Sequence, residues 1–230
     1  MRMRRTETPI RRKSVRGRGA GRPSGDDGDL RARLLHVAAA QFARAGIEAT
    51  SLRAIASEAG VTPAMLHYYF GDKSGITQAL IEERLLPALA PLRAHLEEAG
   101  DDPRALAEAF ARGVGEIVAR HPWLPSLWVR EVLCEGGCLR ELMFSQIVPN
   151  LPQMLAQRFA SAQARGLLGA GLDPRLLVVS LVGLTLFPAA GAPIWRRAFG
   201  ADELDTDALL KHTLALLDHG VAAPESGDPR

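Results

Sequence analysis

From about residue 29 to residue 220, apolar side chains recur three and four positions apart, and no alternating run is long enough for a strand. The pattern predicts an all-α chain of about nine helices. A first helix is expected from about Asp29 to Ala45, with Leu34, Leu35, Ala38 and Phe42 on one face and Gly46 as its stop. Ser51 is a good N-cap for the next, whose Leu52, Ile55, Ala56 and Ala59 form one apolar stripe. Gly60 ends it, because a residue without a Cβ takes the left-handed C′ conformation at little cost. Thr62 then caps a third helix and Pro63 fills its first position, where a missing N–H does no harm. On that helix Leu66 and Phe70 face the core, which leaves Met65, His67, Tyr68 and Tyr69 to cover the other sides. So many exposed aromatic groups are unusual on a plain core element. Two short helices joined by a tight turn form a helix-turn-helix, whose second helix is shaped to enter the major groove of DNA.

Beyond that unit, Asp72 opens a long helix through about Leu96, which Pro87 and Pro91 should kink or break. Asp102-Pro103 starts a helix that His121-Pro122 stops. Trp123 to Cys134 is the next, broken by Gly136-Gly137. Leu139 to Ala164 reads as one amphipathic stretch that Pro149 and Pro152 bend or split. Asp173-Pro174 begins a helix over Leu176 to Phe187, a Pro- and Gly-containing loop follows, and Asp205 or Thr206 opens a last helix that Gly220 ends. These last two long helices are apolar on more than one side, so they are expected to be buried. Pairing with the same helices of a second copy is one solution, since obligate homodimer interfaces are apolar. Leu177, Leu181, Leu184, Leu210, Leu214 and Leu217 are the candidates for that contact.

Charge is unevenly spread. Residues 1–25 hold nine basic side chains and one acid, a local charge of +8, while the other 205 residues hold 19 basic and 25 acidic groups, −6. An acidic body with a basic arm points to nucleic acid as the partner of the arm. The arm has almost no large apolar residue and is expected to be disordered. Composition is otherwise that of a soluble globular protein, with 47% hydrophobic and 23% charged residues. Two cysteines give no disulfide framework and suit a reducing cytosol. The basic N-terminus leads into no apolar stretch, so no signal peptide is expected. Leu176 to Trp195 carries no acidic or basic group short of Arg196, but Pro188, Gly191 and Pro193 leave a clean helix of only twelve residues. That reaches about 18 Å, short of a ~30 Å hydrocarbon core.

Residues 33–76 resemble the DNA-binding domain of the TetR family, the tetracycline-repressor-like bacterial regulators. The carriers are Leu34-Leu35, Ala38-Ala39, Phe42-Ala43, Gly46, Ala49-Thr50-Ser51, Ile55-Ala56, Ala59-Gly60-Val61, Leu66, Tyr68-Tyr69-Phe70 and Lys73. The resemblance implies an all-helical homodimer that represses transcription from a palindromic operator and lets go of DNA when a small molecule binds its second domain. It implies base-edge contacts for Arg53, Met65 and Tyr69. Thr62, Pro63 and Ala64 then line the groove, and His67, Tyr68 and Lys73, with Ser51, hold the phosphate backbone. Two positions depart from the family pattern: His67 replaces a usual tyrosine, and Met65 a small or hydroxyl residue. The division implied is a basic tail at 1–28, the helix-turn-helix domain at 29–73, an effector-binding and dimerisation domain at 74–220 and a disordered end at 221–230. The place expected is the bacterial cytoplasm.

Other chemistries fit less well. The six histidines show no metal-ligand spacing, and neither a nucleophile elbow nor a phosphate-cradling glycine loop is present. No enzyme, cofactor, metal site or membrane partner is therefore expected. Cys134 and Cys138 lack the Cys-x-x-Cys spacing of redox and zinc sites and read as inert thiols. An effector would sit between helices, against bulky side chains such as Phe110, Trp123, Trp128, Met143, Phe144 and Phe187. Arg130 and Glu131 lie in an apolar stretch and could pair locally or meet a ligand. The alternative in another class is an architectural DNA-binding protein without an effector.

Overall fold

The computed structural model describes residues 25–147 and 151–220. Among them there are eleven helices and no strand. The helices are α1 (Gly25–Ala45), α2 (Leu52–Ala59), α3 (Pro63–Phe70) and α4 (residues 73–98). There follow α5 (Pro103–Arg120), α6 (residues 124–133), α7 (residues 140–147) and α8 (Pro152–Ala164). The last three are α9 (Pro174–Ala190), α10 (Ala192–Phe199) and α11 (Thr206–Gly220). The expectations for 1–24 and 221–230 lie outside the described residues.

Three of these helices contain a wider, π-helical turn: Ile81–Leu85 in α4, Val129–Leu133 in α6 and Met143–Ile147 in α7. In α4 the ladder passes through that turn and breaks once more at Leu89, between Pro87 and Pro91, where the two missing N–H groups predict it. The expected 139–164 stretch is split into α7 and α8. The count exceeds nine partly for that reason and partly because α10 occupies what reads as a loop. Gly191 precedes α10 and Pro193 sits in its first turn, where proline starts a helix as readily as it stops one. α1 begins one turn earlier than Asp29.

Two hydrophobic cores result. One gathers Leu34, Leu35, Phe42, Ile55, Leu66, Ile76 and Leu80 from α1–α4, and it also takes in Leu127 and Leu139. The other is built around α5, whose Leu106, Phe110, Val114, Ile117 and Val118 meet Leu92, Leu96, Leu155, Phe159 and Leu181. Gly113 lets α5 lie tight on α4, for a Cβ there would come within 2.9 Å of Leu92 Cα. Among the described residues no single helix is long and apolar enough to cross a membrane; α9 and α10 together are, by length and composition, but meet at a 68° bend.

Candidate functional site

The corner between α2 and α3 is made by local chemistry. Ser51 Oγ accepts the Ala54 N–H at 3.1 Å, and Gly60 closes α2 at φ +68°, with the Val61 N–H reaching Ala56 O at 2.9 Å. Thr62 takes the N-cap backbone of α3, but its side chain makes no capping bond, contrary to the sequence expectation; Pro63 follows at the first turn. The exit from α3 is a γ-turn. Gly71 has φ +75°, ψ −77°, and the Asp72 N–H reaches back to Phe70 O at 2.9 Å. Asp72 then caps α4 by accepting the Gly75 N–H at 2.8 Å.

α1 braces the pair from behind. Its Gln41 donates to Ala54 O and to Glu58, and Arg44 pairs with Glu58 at 2.5 Å. At the other end Arg31 donates to Tyr69 O at 2.8 Å, pairs with Glu83 at 2.6 Å and lies 4.5 Å over the Phe70 ring. Arg31 is a positioning residue that sequence reasoning missed, because both its partners are distant in sequence.

Facing outward are Ser51, Arg53, Thr62, Pro63, Ala64, Met65, His67 and Tyr68, all exposed. Tyr68 projects furthest, at 78% exposure, while Tyr69, expected on the base edges, is half-buried against the α1–α4 core and stacks edge-on with Tyr68 at 5.2 Å. His67 is held by its Nδ1 contact with Gly71 O. Lys73 is half-buried and donates to Glu48 O at 2.7 Å, so its ammonium is anchored to the turn after α1 at the rim of this surface. Arg53 and Arg33 are exposed and, among the described residues, make no ion pair or hydrogen bond.

Behind this unit lies a cavity of about 110 Å³ that opens to solvent. Among the described residues, every one that lines it is apolar: Leu85, Leu89 and Leu92 of α4, Phe110, Val114 and Ile117 of α5, Leu127, Trp128 and Val132 of α6, then Leu139, Leu142, Met143, Leu151, Leu155, Val178, Val182 and Leu186 among others. Of the six expected residues, Phe110, Trp128 and Met143 line it. Phe144 and Phe187 are surface residues at 61% and 71% exposure, and Trp123 packs between the two cores. Bulk picked out three of these wall residues and missed the rest, since the wall is mostly leucine and valine. Each π-helical turn contributes one wall residue: Leu85, Val132 and Met143.

The expected dimer residues divide. Leu177, Leu181 and Leu217 are buried in their own core, and Leu184, Leu210 and Leu214 are half-buried against it. The exposed stripe on α9 is instead Leu176, Val179, Gly183 and Phe187, spaced by three, four and four, with Leu216 of α11 and Ile194 and Phe199 of α10 also exposed. The Glu131 carboxylate is buried and accepts backbone N–H groups from Ile47 and Cys138, while Arg130 is exposed. Both cysteines are free and exposed. Though the residue is exposed, partial desolvation of its sulfur, then the Glu131 and Glu48 carboxylates, push the Cys138 thiol up from its ordinary pKa.

A capped helix-turn-helix, with its outer face clear and a hollow helical body behind it, is the plan of a DNA-binding transcriptional regulator. Residues 34–80 match the family model of bacterial regulatory proteins of the tetR family. The chain is 26% identical over 195 residues to the HTH-type transcriptional regulator RutR of Escherichia coli strain K12, covering 82% of this chain and 88% of that one. It is 32% identical over 75 residues to the regulator BetI of Burkholderia thailandensis, 33% of this chain and 38% of BetI. Among solved structures, the ketosteroid transcriptional regulator KstR2 of Mycobacterium tuberculosis shares the fold with a TM-score of 0.66 at 20% identity, over 89% of this chain and 99% of that one. The match to the tetR family thus falls on the helix-turn-helix domain, and over most of its length the chain is similar to a transcriptional regulator, RutR.

Proposed function

We propose that this chain is a repressor that binds a palindromic operator as a homodimer and is released by a small, largely apolar effector. In this reading 29–73 is the DNA-binding domain and 74–220 the effector and dimerisation domain. The observation that carries it is the cavity. Protein interiors hold few voids larger than a water molecule, so a hollow of about 110 Å³ lined by apolar side chains is a feature to be filled. An architectural DNA-binding protein has no use for one. Apart from the Trp128 indole N–H, a buried hydrogen-bonding group on the ligand would find no side-chain partner among the described residues of this wall, so the buried part of the effector is itself largely apolar.

The same helix serves both ends. α4 gives Ile76, Ala79 and Leu80 to the DNA-side core and Leu85, Leu89 and Leu92 to the cavity wall. A ligand that separates its C-terminal half from α5 changes the angle at which α2 and α3 are presented. In a dimer the two α3 helices must meet major grooves about 34–36 Å apart, or a multiple of that, so a small tilt lowers affinity. Arg53, Met65 and Tyr68 are placed for base edges. Ser51, Thr62, Pro63, Ala64, His67 and Lys73 flank them along the backbone, and Tyr69 supports Tyr68 from beneath. The second copy is read onto the α9 stripe of Leu176, Val179 and Phe187 together with Leu216.

Thermal melts with a panel of neutral apolar compounds test the effector part; the mycobacterial neighbour is a ketosteroid regulator, so a ketosteroid belongs in the panel. A ligand at 100 times its Kd stabilises the folded state by about 2.7 kcal/mol, a readily seen rise in Tm. The same compound should release the protein from duplexes enriched out of a random-sequence pool. If polar, charged compounds of similar size raise Tm and the apolar ones do not, the reading fails.

A further inference from the structure

Among the described residues Glu131 is the one charged side chain buried from solvent, at 4% exposure. It makes no ion pair with Arg, Lys or His there. Both carboxylate oxygens are spent on backbone amides instead. Oε1 accepts the Ile47 N–H at 2.9 Å and Oε2 the Cys138 N–H at 3.0 Å. Ile47 lies in the turn that joins α1 to α2, 84 residues away in sequence; Cys138 lies in the turn after α6. This side chain therefore ties the DNA-binding half to the hollow half, beside the packing of Leu127 and Leu139 in the α1–α4 core. The approach is close: a Cβ on Gly46 would sit 3.2 Å from Glu131 Oε1.

The segment that carries Glu131 is stiff. Leu139 N–H reaches Glu131 O at 3.0 Å, and Gly137 packs so near that a Cβ there would meet the same oxygen at 2.3 Å. Arg140 clamps the end of the π-helical turn by donating to Val132 O, Leu133 O and Cys134 O at 3.2, 3.1 and 3.0 Å. The other side of this segment is cavity wall, through Val132 and Leu139, and Leu139 belongs also to the α1–α4 core. A body entering the cavity presses on a rigid piece whose far side grips the Ile47 amide.

We propose that Glu131 is a positioning residue that carries cavity occupancy to the DNA-binding half, its carboxylate moving or releasing the Ile47 N–H when Val132 and Leu139 are displaced. This rests on the effector reading above. The route runs through the α1–α2 turn, in addition to the tilt of α4. It needs a discrete, buried contact with two arrangements, and a carboxylate between two amides supplies one, because a half-satisfied buried carboxylate is costly and so avoids intermediate positions.

The experiment uses N-phenyl-1-naphthylamine, a neutral apolar fluorophore, and a duplex enriched by the unmodified protein from a random pool. The probe's Kd is measured on free and DNA-bound protein; the ratio is the coupling, equal by linkage to the weakening of DNA binding by the probe. The unmodified protein should show a ratio of about ten or more. Glu131→Gln offers one acceptor oxygen in place of two. It should keep the free-protein Kd within about twofold while the ratio falls toward one. A merely structural carboxylate would lower Tm and leave the ratio alone, so an unchanged ratio in the variant overturns the proposal. Equal probe binding by free and DNA-bound unmodified protein overturns the effector reading itself. Should Glu131→Gln fail to fold, hydrogen exchange of the unmodified protein decides. Probe binding should accelerate the Ile47 amide and leave Ile55 of α2 unchanged, and an unaltered Ile47 rate would refute the link.

Discussion

Gly75 holds the exit from the reading helix. A Cβ there would stand 1.9 Å from the Phe70 carbonyl oxygen, a backbone atom already bonded to the Asp72 N–H in the γ-turn. Nothing flexible can yield, so Gly75→Ala has to open the α3–α4 corner. Gly60 is the useful contrast: its φ is +68°, but the space around it is open. Gly60→Ala should cost about 1–2 kcal/mol from the left-handed conformation alone, and Gly75→Ala about 3 kcal/mol with loss of DNA binding. Urea midpoints for the two variants check this, and a Gly75→Ala loss no larger than that of Gly60→Ala would mean the corner is not constrained as described. Cys138 gives a second prediction. With its pKa raised by partial desolvation and by two carboxylates, its thiolate is a small fraction at neutral pH. In a Cys134→Ser background, alkylation of Cys138 should climb with pH through a midpoint above the ordinary value of about 8.5. A midpoint at or below that value would contradict the geometry around Glu131 and Glu48.

Helix by helix, α9 shows most clearly where sequence reasoning stops. Leu176, Leu177, Val178, Val179, Leu181, Val182, Leu184, Leu186 and Phe187 make it apolar nearly all round, so periodicity cannot say which face is inward. Packing against α5 and α8 chose Leu177, Val178, Leu181 and Leu186, leaving Leu176, Val179 and Phe187 outside. The two faces predict different failures. Leu181→Arg puts an unpaired charge in the core at a cost of several kcal/mol and should leave no folded protein. Val179→Arg should leave a folded, cooperatively melting chain of monomer mass by light scattering, because it touches only the face proposed for the second copy. A folded Val179→Arg dimer would put the interface elsewhere. The helix-turn-helix, by contrast, was legible, since Ser51, Gly60, Pro63 and Asp72 act on backbone within four residues of themselves. Tyr69, Arg31 and Glu131 were not, because what decides their place lies on other helices. α10 was hidden by Gly191 and Pro193, which read as a loop when they in fact open a helix.

For the molecule as a whole, the open question is how a nearly neutral reading face holds a polyanion. Residues 26–73 carry five basic groups against six acids. Three of the five are committed: Arg31 to Glu83 and Tyr69 O, Arg44 to Glu58, and Lys73 to the Glu48 carbonyl. Arg33 and Arg53 are left to meet phosphate or base. The arginine-rich arm supplies what this face lacks, with +8 on residues 1–25. Phosphate contacts give affinity without reading sequence. If four arm side chains per copy reach phosphates, the proposed dimer releases about eight counterions, and the slope of log K against log salt steepens by about seven. Removing residues 1–25 should then cut affinity sharply at low salt and leave the ranking of operator variants as it was. Salt titrations of full-length and truncated protein on one duplex and its point variants measure both quantities. Equal slopes would make the arm a bystander. A ranking that changes only in A·T-rich flanks would instead assign it to the minor groove, where arginine reads groove width.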